Sequence, residues 1–210
     1  MDRPVYNAVM PSAATTSRRV VRARPAPAPP FLPPRDRILQ TAHDLFYRDG
    51  IRATGIDRVI AESGVAKVTF YRQFPSKDDL ILAFLDVRHE RWMAWFVGAL
   101  ARHGGTLAAV VPALDEWFAS AGYRGCAFLN SVGELGPVLP GVVEVTRRHK
   151  RDMTDAVAAL MRASSRRDEV ARAVALAIDG AIVQAQFLET PADALSSLAL
   201  VLKALRPGTA

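Results

Sequence analysis

This sequence is nearly without cysteine, has no apolar run of membrane length, and shows no stretch of alternating apolar and polar residues. Cys126 is the only cysteine in 210 residues, which excludes an intramolecular disulfide and a cysteine-cluster zinc site. The four histidines, His43, His89, His103 and His149, fall at no spacing that would let two imidazoles share a metal on one helix face. No apolar run nears the roughly 18 residues that span a bilayer. Arg18-Arg19 is followed by Val-Val-Arg-Ala-Arg-Pro and not by an apolar export segment. The expectation is a cytoplasmic protein with no membrane partner. Glycine-rich phosphate loops and nucleophile elbows are missing too. His149 and Asp152, three apart on a helix, read as a surface pair. Neither an enzyme, a cofactor nor a metal is expected.

What is present is basic and unevenly so. Half the residues are apolar and the net charge is +6, with a mean hydropathy of +0.09. Residues 1–77 hold 13 Lys and Arg against 6 Asp and Glu, while residues 78–210 hold 14 against 15. A basic first third on a near-neutral remainder is the footprint of a nucleic-acid-binding module joined to something else. A basic tail unrelated to DNA gives the same balance, so charge alone leaves both readings open.

Residues 1–34 are rich in Pro and Ala with scattered arginines, a composition that predicts a disordered basic tail able to reach phosphates. Pro33-Pro34 is expected to stop that tail just before a helix over 35–49, which Gly50 ends. A short helix over 56–63 closes at Gly64, and a third begins near Ala66. Ser76 caps a helix over 78–103, with Asp78 and Asp79 in its first turn. Further helices are expected at 107–120, 127–134, 139–164, 167–189 and 192–205, punctuated by Gly and Pro. The fold class is all-α, with a helix-turn-helix domain over 35–80 and a second helical domain over 81–210.

The stretch VAKVTFYRQFPSK, residues 65–77, carries the first functional signal. At about 100° per residue, Ala66, Phe70 and Phe74 share one face of a helix, Val68 and Arg72 lie opposite, and Thr69 and Tyr71 flank them. A helix that enters a major groove wants short side chains, methyl groups for thymine, and donors for base edges and phosphates. Val68 and Thr69 fit the close positions, Arg72 a base edge or phosphate, and Lys67, Tyr71 and Lys77 the backbone. A small helical hairpin with a solvated face would share this pattern.

The run ATGIDRVIAESGVAKVTFYRQFPSKDDLILAFL, residues 53–85, resembles the N-terminal domain of TetR/AcrR family transcriptional regulators. The matching features are Thr54 before the second helix, Ala61 to Gly64-Val65, Thr69 two before Tyr71, and Phe74 before Ser76-Lys77. The resemblance adds Thr54 to the expected DNA contacts. Gly55 and Val68 depart from the residues often found at those places, so base preference does not carry over. The resemblance implies a ligand-binding and dimerisation domain, a double-stranded palindromic operator as partner, and a repressor that answers an unknown small-molecule effector. A regulator with no small-molecule effector is the alternative.

The residues themselves support part of this. Helices 167–189 and 192–205 are apolar nearly all round and need cover on more than one side. A second subunit is the expected cover, touching Ile178, Ala181, Ile182, Ala185, Leu198 and Leu202 in a two-fold homodimer. Trp92, Trp95, Phe96, Trp117, Phe118 and Phe128 are candidates for an aromatic cavity, with Asn130, Glu134 and Gln184 as polar anchors; ordinary core packing would account for the same aromatics.

Overall fold

Two prolines set where the first helix begins. Pro33 is extended, and Pro34 takes the first position of helix α1 (Pro34–Asp49). There its missing N–H costs nothing and its fixed φ suits the helix, so the helix starts on Pro34 and not after it. The computed structural model describes residues 32–205; the expected tail, apart from its last three residues, lies outside them. Among the described residues the structure is all-α, with α-helices, one short 3-10 turn and no strand.

The first three helices form one small core. Ile38, Ala42, Leu45 and Phe46 of α1 face Val59 of α2 (Ile56–Ser63) and Phe70 of α3 (Lys67–Gln73), all nearly inaccessible. The α2–α3 turn needs a residue in the left-handed region, and Gly64 provides it at φ 63. An arginine also holds that turn. Arg37 of α1 donates from Nε and Nη2 to the Ser63 carbonyl, at 3.0 and 2.6 Å, and from Nη2 to the Gly64 carbonyl. These are orphan acceptors at the end of α2, so α1 supplies the cap that the turn itself lacks.

Helix α4 (Lys77–Arg102) opens with a capping box: Ser76 Oγ accepts from Asp79 N, and the Asp79 carboxylate accepts from Ser76 N. At 26 residues it is about 39 Å long. It packs on α1 at one end and on α5, α6 and α7 farther along. A 3-10 turn (Leu107–Ala109) leads into α5 (Val110–Phe118), which splits the single helix expected over 107–120. Pro112 falls in the first turn of α5, where no N–H is required. Helix α6 (Ala127–Leu135) follows.

Helix α7 (Pro140–Ala158) stops short of the expected 164, and α8 (Arg167–Gln184) short of 189. Both unwind through tightened bonds: Leu160 N donates to Val157 O, and Phe187 N to Gln184 O. Helix α9 (Ala192–Leu205) packs back on α8 and α5. This arrangement corrects the expected dimer contacts. Ile178, Ala181, Ile182, Leu198 and Leu202 are buried inside the chain, and Ala185 is half-buried. The cover assigned to a partner comes from α7, α8 and α9 themselves. The apolar side chains these helices leave in water are others: Leu176 and Val183 on α8, Leu200 and Val201 on α9, and Phe187 just beyond α8.

Candidate nucleic-acid interface and bundle cleft

Helix α3 is seated by aromatics. Phe70 and Phe74 are buried with ring centroids 6.2 Å apart, and the Arg35 guanidinium lies 4.5 Å over Phe74. The opposite face looks outward, as its spacing requires. Val68 is 78% exposed and Tyr71 41%, Lys67 and Arg72 are exposed, and Thr69 is half-buried. Lys67 has only a 3.4 Å ion pair to the exposed Asp57, which leaves it available to a phosphate.

Two expected DNA contacts point elsewhere. Thr54 is fully buried, and its hydroxyl donates to the Gly50 carbonyl at 2.8 Å. Its role is to pin the α1–α2 corner. Lys77 is half-buried and donates from Nζ to the Ile51 carbonyl at 2.7 Å. Burial holds its pKa below the usual lysine value, with Glu134 and Asp78 opposing that shift.

That corner is tied to α6 as well. The Glu134 carboxylate accepts from Arg52 N at 2.8 Å and Ile51 N at 3.3 Å. Tyr47 of α1 donates to the Gly125 carbonyl at 2.9 Å and accepts from Arg124 N at 3.0 Å. Gly125 sits at φ 80, a conformation that disfavours any side chain. Neither tie has a signal in sequence, since the partners stand about 80 residues apart and are backbone atoms.

The aromatic residues divide. Trp92, Trp95 and Trp117 line an open cleft of about 690 Å³ between α1, α4 and the end of α5. Their centroids are 5.5 to 6.0 Å apart. Phe96, Phe118 and Phe128, expected in the same cavity, are packed core instead. Phe96 stacks on Trp92 at 4.7 Å, Phe118 meets Tyr123 at 4.9 Å, and Phe128 stacks on His149 at 3.7 Å. The enclosed space beside Phe128 is only about 10 Å³, room for about one water. Asn130 and Glu134 line a second open cleft of about 480 Å³ against the α1–α2 corner. Gln184 is exposed and lines neither.

The expected surface pair of His149 with Asp152 does not form. His149 is buried, its Nδ1 is 3.2 Å from His89 Nδ1, and His89, not His149, pairs with Asp152 at 3.2 Å. Burial, followed by the positive charge of Lys150, pushes the His149 pKa down to about 2. Buried Cys126 lies 3.6 Å from the Lys150 ammonium, which is held by Asp179 at 2.5 Å. Among the described residues no group of three or more His, Cys, Asp or Glu is placed to hold a metal ion, and no single helix is long and apolar enough to cross a membrane.

Known proteins share this arrangement. The family model for bacterial regulatory proteins of the tetR family matches residues 38–84, which span α1 to the first turns of α4. A TetR-family transcriptional regulator from Streptomyces coelicolor is 31% identical, with 82% of this chain and 93% of that one superposed at a TM-score of 0.72. A TetR-type regulator from Streptomyces avermitilis is 25% identical over 83% of this chain and 98% of that one, with a TM-score of 0.66. An HTH-type transcriptional regulator from Lactococcus lactis subsp. lactis is 30% identical over 106 residues, 48% of this chain and 54% of that protein. The chain thus spans about half the length of that relative.

Proposed function

This chain belongs to the TetR family of transcriptional regulators, non-enzymatic DNA-binding proteins with an N-terminal helix-turn-helix, and from that premise we propose that it is a homodimeric repressor of a palindromic operator, released by a small-molecule effector. The observation that carries the reading is the outer face of α3, where Val68, Tyr71 and Arg72 stand in water above a helix locked by Phe70 and Phe74. Each subunit lays α3 in a major groove, with Val68 and Thr69 close to base edges and Lys67, Tyr71 and Arg72 on bases or phosphates. Two such helices read half-sites about one turn, roughly 34–36 Å, apart.

The two-fold contact is assigned to the outer faces of α8 and α9. Leu176 and Val183 on α8 and Leu200 and Val201 on α9 are exposed, and apolar side chains left in water on two adjoining helices fit a partner contact. The effector is assigned to the cleft walled by Trp92, Trp95 and Trp117. Because α1 forms its opposite wall, a ligand there acts on the DNA-reading unit directly, provided its affinity differs between two arrangements of α1 and α4. The residues 35–80 act as the DNA-binding unit and 81–210 as the effector and dimer unit, in the cytoplasm.

A second reading, a regulator with no small-molecule effector, is favoured by one observation: the bundle interior beside Phe128 has space for about one water. An effector in the tryptophan cleft acts from an open site and not from that interior space. The purified protein is incubated with random DNA fragments, and the retained ones are sequenced. Enrichment of an inverted repeat with half-sites about one turn apart supports the dimeric operator, and retention of DNA with no repeated half-site rejects it.

A further inference from the structure

The cleft that Trp92, Trp95 and Trp117 line has an unbalanced charge. Four arginines and two carboxylates line it: Arg48, Arg88, Arg91 and Arg124 against Asp44 and Glu116. Both carboxylates are already occupied. Asp44 is held by His43 and Gln40, and its pKa falls below the usual carboxylate value. Glu116 accepts from Trp95 Nε1 at 3.2 Å and Arg102 at 2.7 Å, with His103 at 3.3 Å. Of the cations, Arg48 is paired with Asp49 at 2.8 Å.

The other three have no carboxylate partner among the described residues. Arg88 lies 4.2 Å over the Tyr47 ring and donates to His43 Nε2 at 3.2 Å. Arg91 reaches only the Gln40 amide oxygen, at 3.3 Å. Arg124 donates to the Tyr123 carbonyl at 2.6 Å. Neutral acceptors leave a guanidinium's charge uncompensated, and bidentate recognition of a carboxylate is what such a group does best.

From these features we propose that the cleft binds a planar aromatic carboxylate. The three indoles supply flat apolar walls for an aromatic ring; Arg88, Arg91 and Arg124 supply the counter-charge, and the site disfavours cations. This rests on the reading above that the cleft holds an effector, and it names that effector's chemical class.

The probes are 2-naphthoate, its neutral analogue naphthalene-2-methanol and its cationic analogue 2-naphthylmethylammonium, with binding to the full-length protein measured by calorimetry. The expected order is naphthoate, then the alcohol, with the ammonium weakest. Arg91 and Arg124 are exposed, so the variant Arg91→Gln/Arg124→Gln leaves the core untouched and should weaken naphthoate about tenfold or more, with the alcohol unchanged. All three tryptophans of the chain line this cleft, so naphthoate that binds there also quenches their fluorescence. Equal or tighter binding of the ammonium probe, an unchanged naphthoate affinity in the double variant, or no saturable naphthoate binding at millimolar concentration overturns the proposal. Operator release is scored separately. Naphthoate that binds as expected yet leaves DNA bound supports the ligand class and rejects the effector role, whereas release by the ammonium probe alone does the reverse.

Discussion

Glu134→Ala isolates the tie between α6 and the DNA-reading unit. The carboxylate accepts one well-formed bond, from Arg52 N at 2.8 Å, and one long one, from Ile51 N at 3.3 Å. A bond to a charged acceptor contributes about 1.5–3 kcal/mol when formed and desolvated. Glu134 is half-exposed, so water competes for it, and the second bond lies beyond the ordinary range. Removal should therefore cost about 1–2 kcal/mol. Ile51 itself is 2% exposed, so its N–H regains little from solvent. Lys77, held by the Ile51 carbonyl, also loses the charge that offsets its burial. With a slope of roughly 2 kcal/mol per molar urea, the midpoint should fall by about 0.5–1 M. Equilibrium urea unfolding is compared at one fixed protein concentration, because a dimer's midpoint depends on it. Glu134→Gln keeps one acceptor oxygen without the charge and should fall between. A Glu134→Ala midpoint within about 0.2 M of the parent, at an unchanged slope, would refute the claim that this carboxylate binds the corner to α6.

Arg72→Ala and Tyr71→Ala should weaken operator binding by about 1–3 kcal/mol for a lost base contact without changing the circular dichroism spectrum; full affinity in both would remove α3's outer face as the reader. Val183→Arg places a charge on the exposed face of α8 and should yield monomers in light scattering, whereas Ala181→Arg, buried in the chain, should unfold it; a folded Val183→Arg dimer moves the interface elsewhere. His149 has a folded pKa of about 2 against 6.5 when exposed. A lowered pKa in a base means the unfolded chain takes the proton first, so stability is fully present above pH 6.5 and is lost as pH falls below it. At pH 5.5 this costs on the order of 1.4 kcal/mol, a loss that His149→Phe should not show. Parallel pH–stability curves for the two proteins would sink the assignment of a buried neutral imidazole.

The sequence alone determined what local chemistry can determine. Gly64 at a left-handed turn, Ser76 with Asp79 as a capping box, and the 100° step that turns Phe70 and Phe74 inward and Val68 and Arg72 outward are properties of short segments. They set where these helices start and stop and which side of α3 faces outward. Tertiary structure decided which of several apolar stripes is covered by the chain's own helices. Ile178, Ala181 and Ile182 read the same in sequence as Leu176 and Val183, and only the packing of α7, α8 and α9 separates core from surface. It decided also that Thr54 is buried in the α1–α2 corner, bonded to the Gly50 carbonyl, and that Lys77 donates to the Ile51 carbonyl of the same corner. Phe96 and Phe128 went into packed core while the tryptophans kept an open wall. The physical reason is common to all of these. A side chain's periodicity says which way it points from its own helix, but its partner is whatever distant segment the fold brings there. Backbone carbonyls and N–H groups, which answered Arg37, Lys77, Tyr47 and Glu134, exist at every residue and so leave no mark in the sequence.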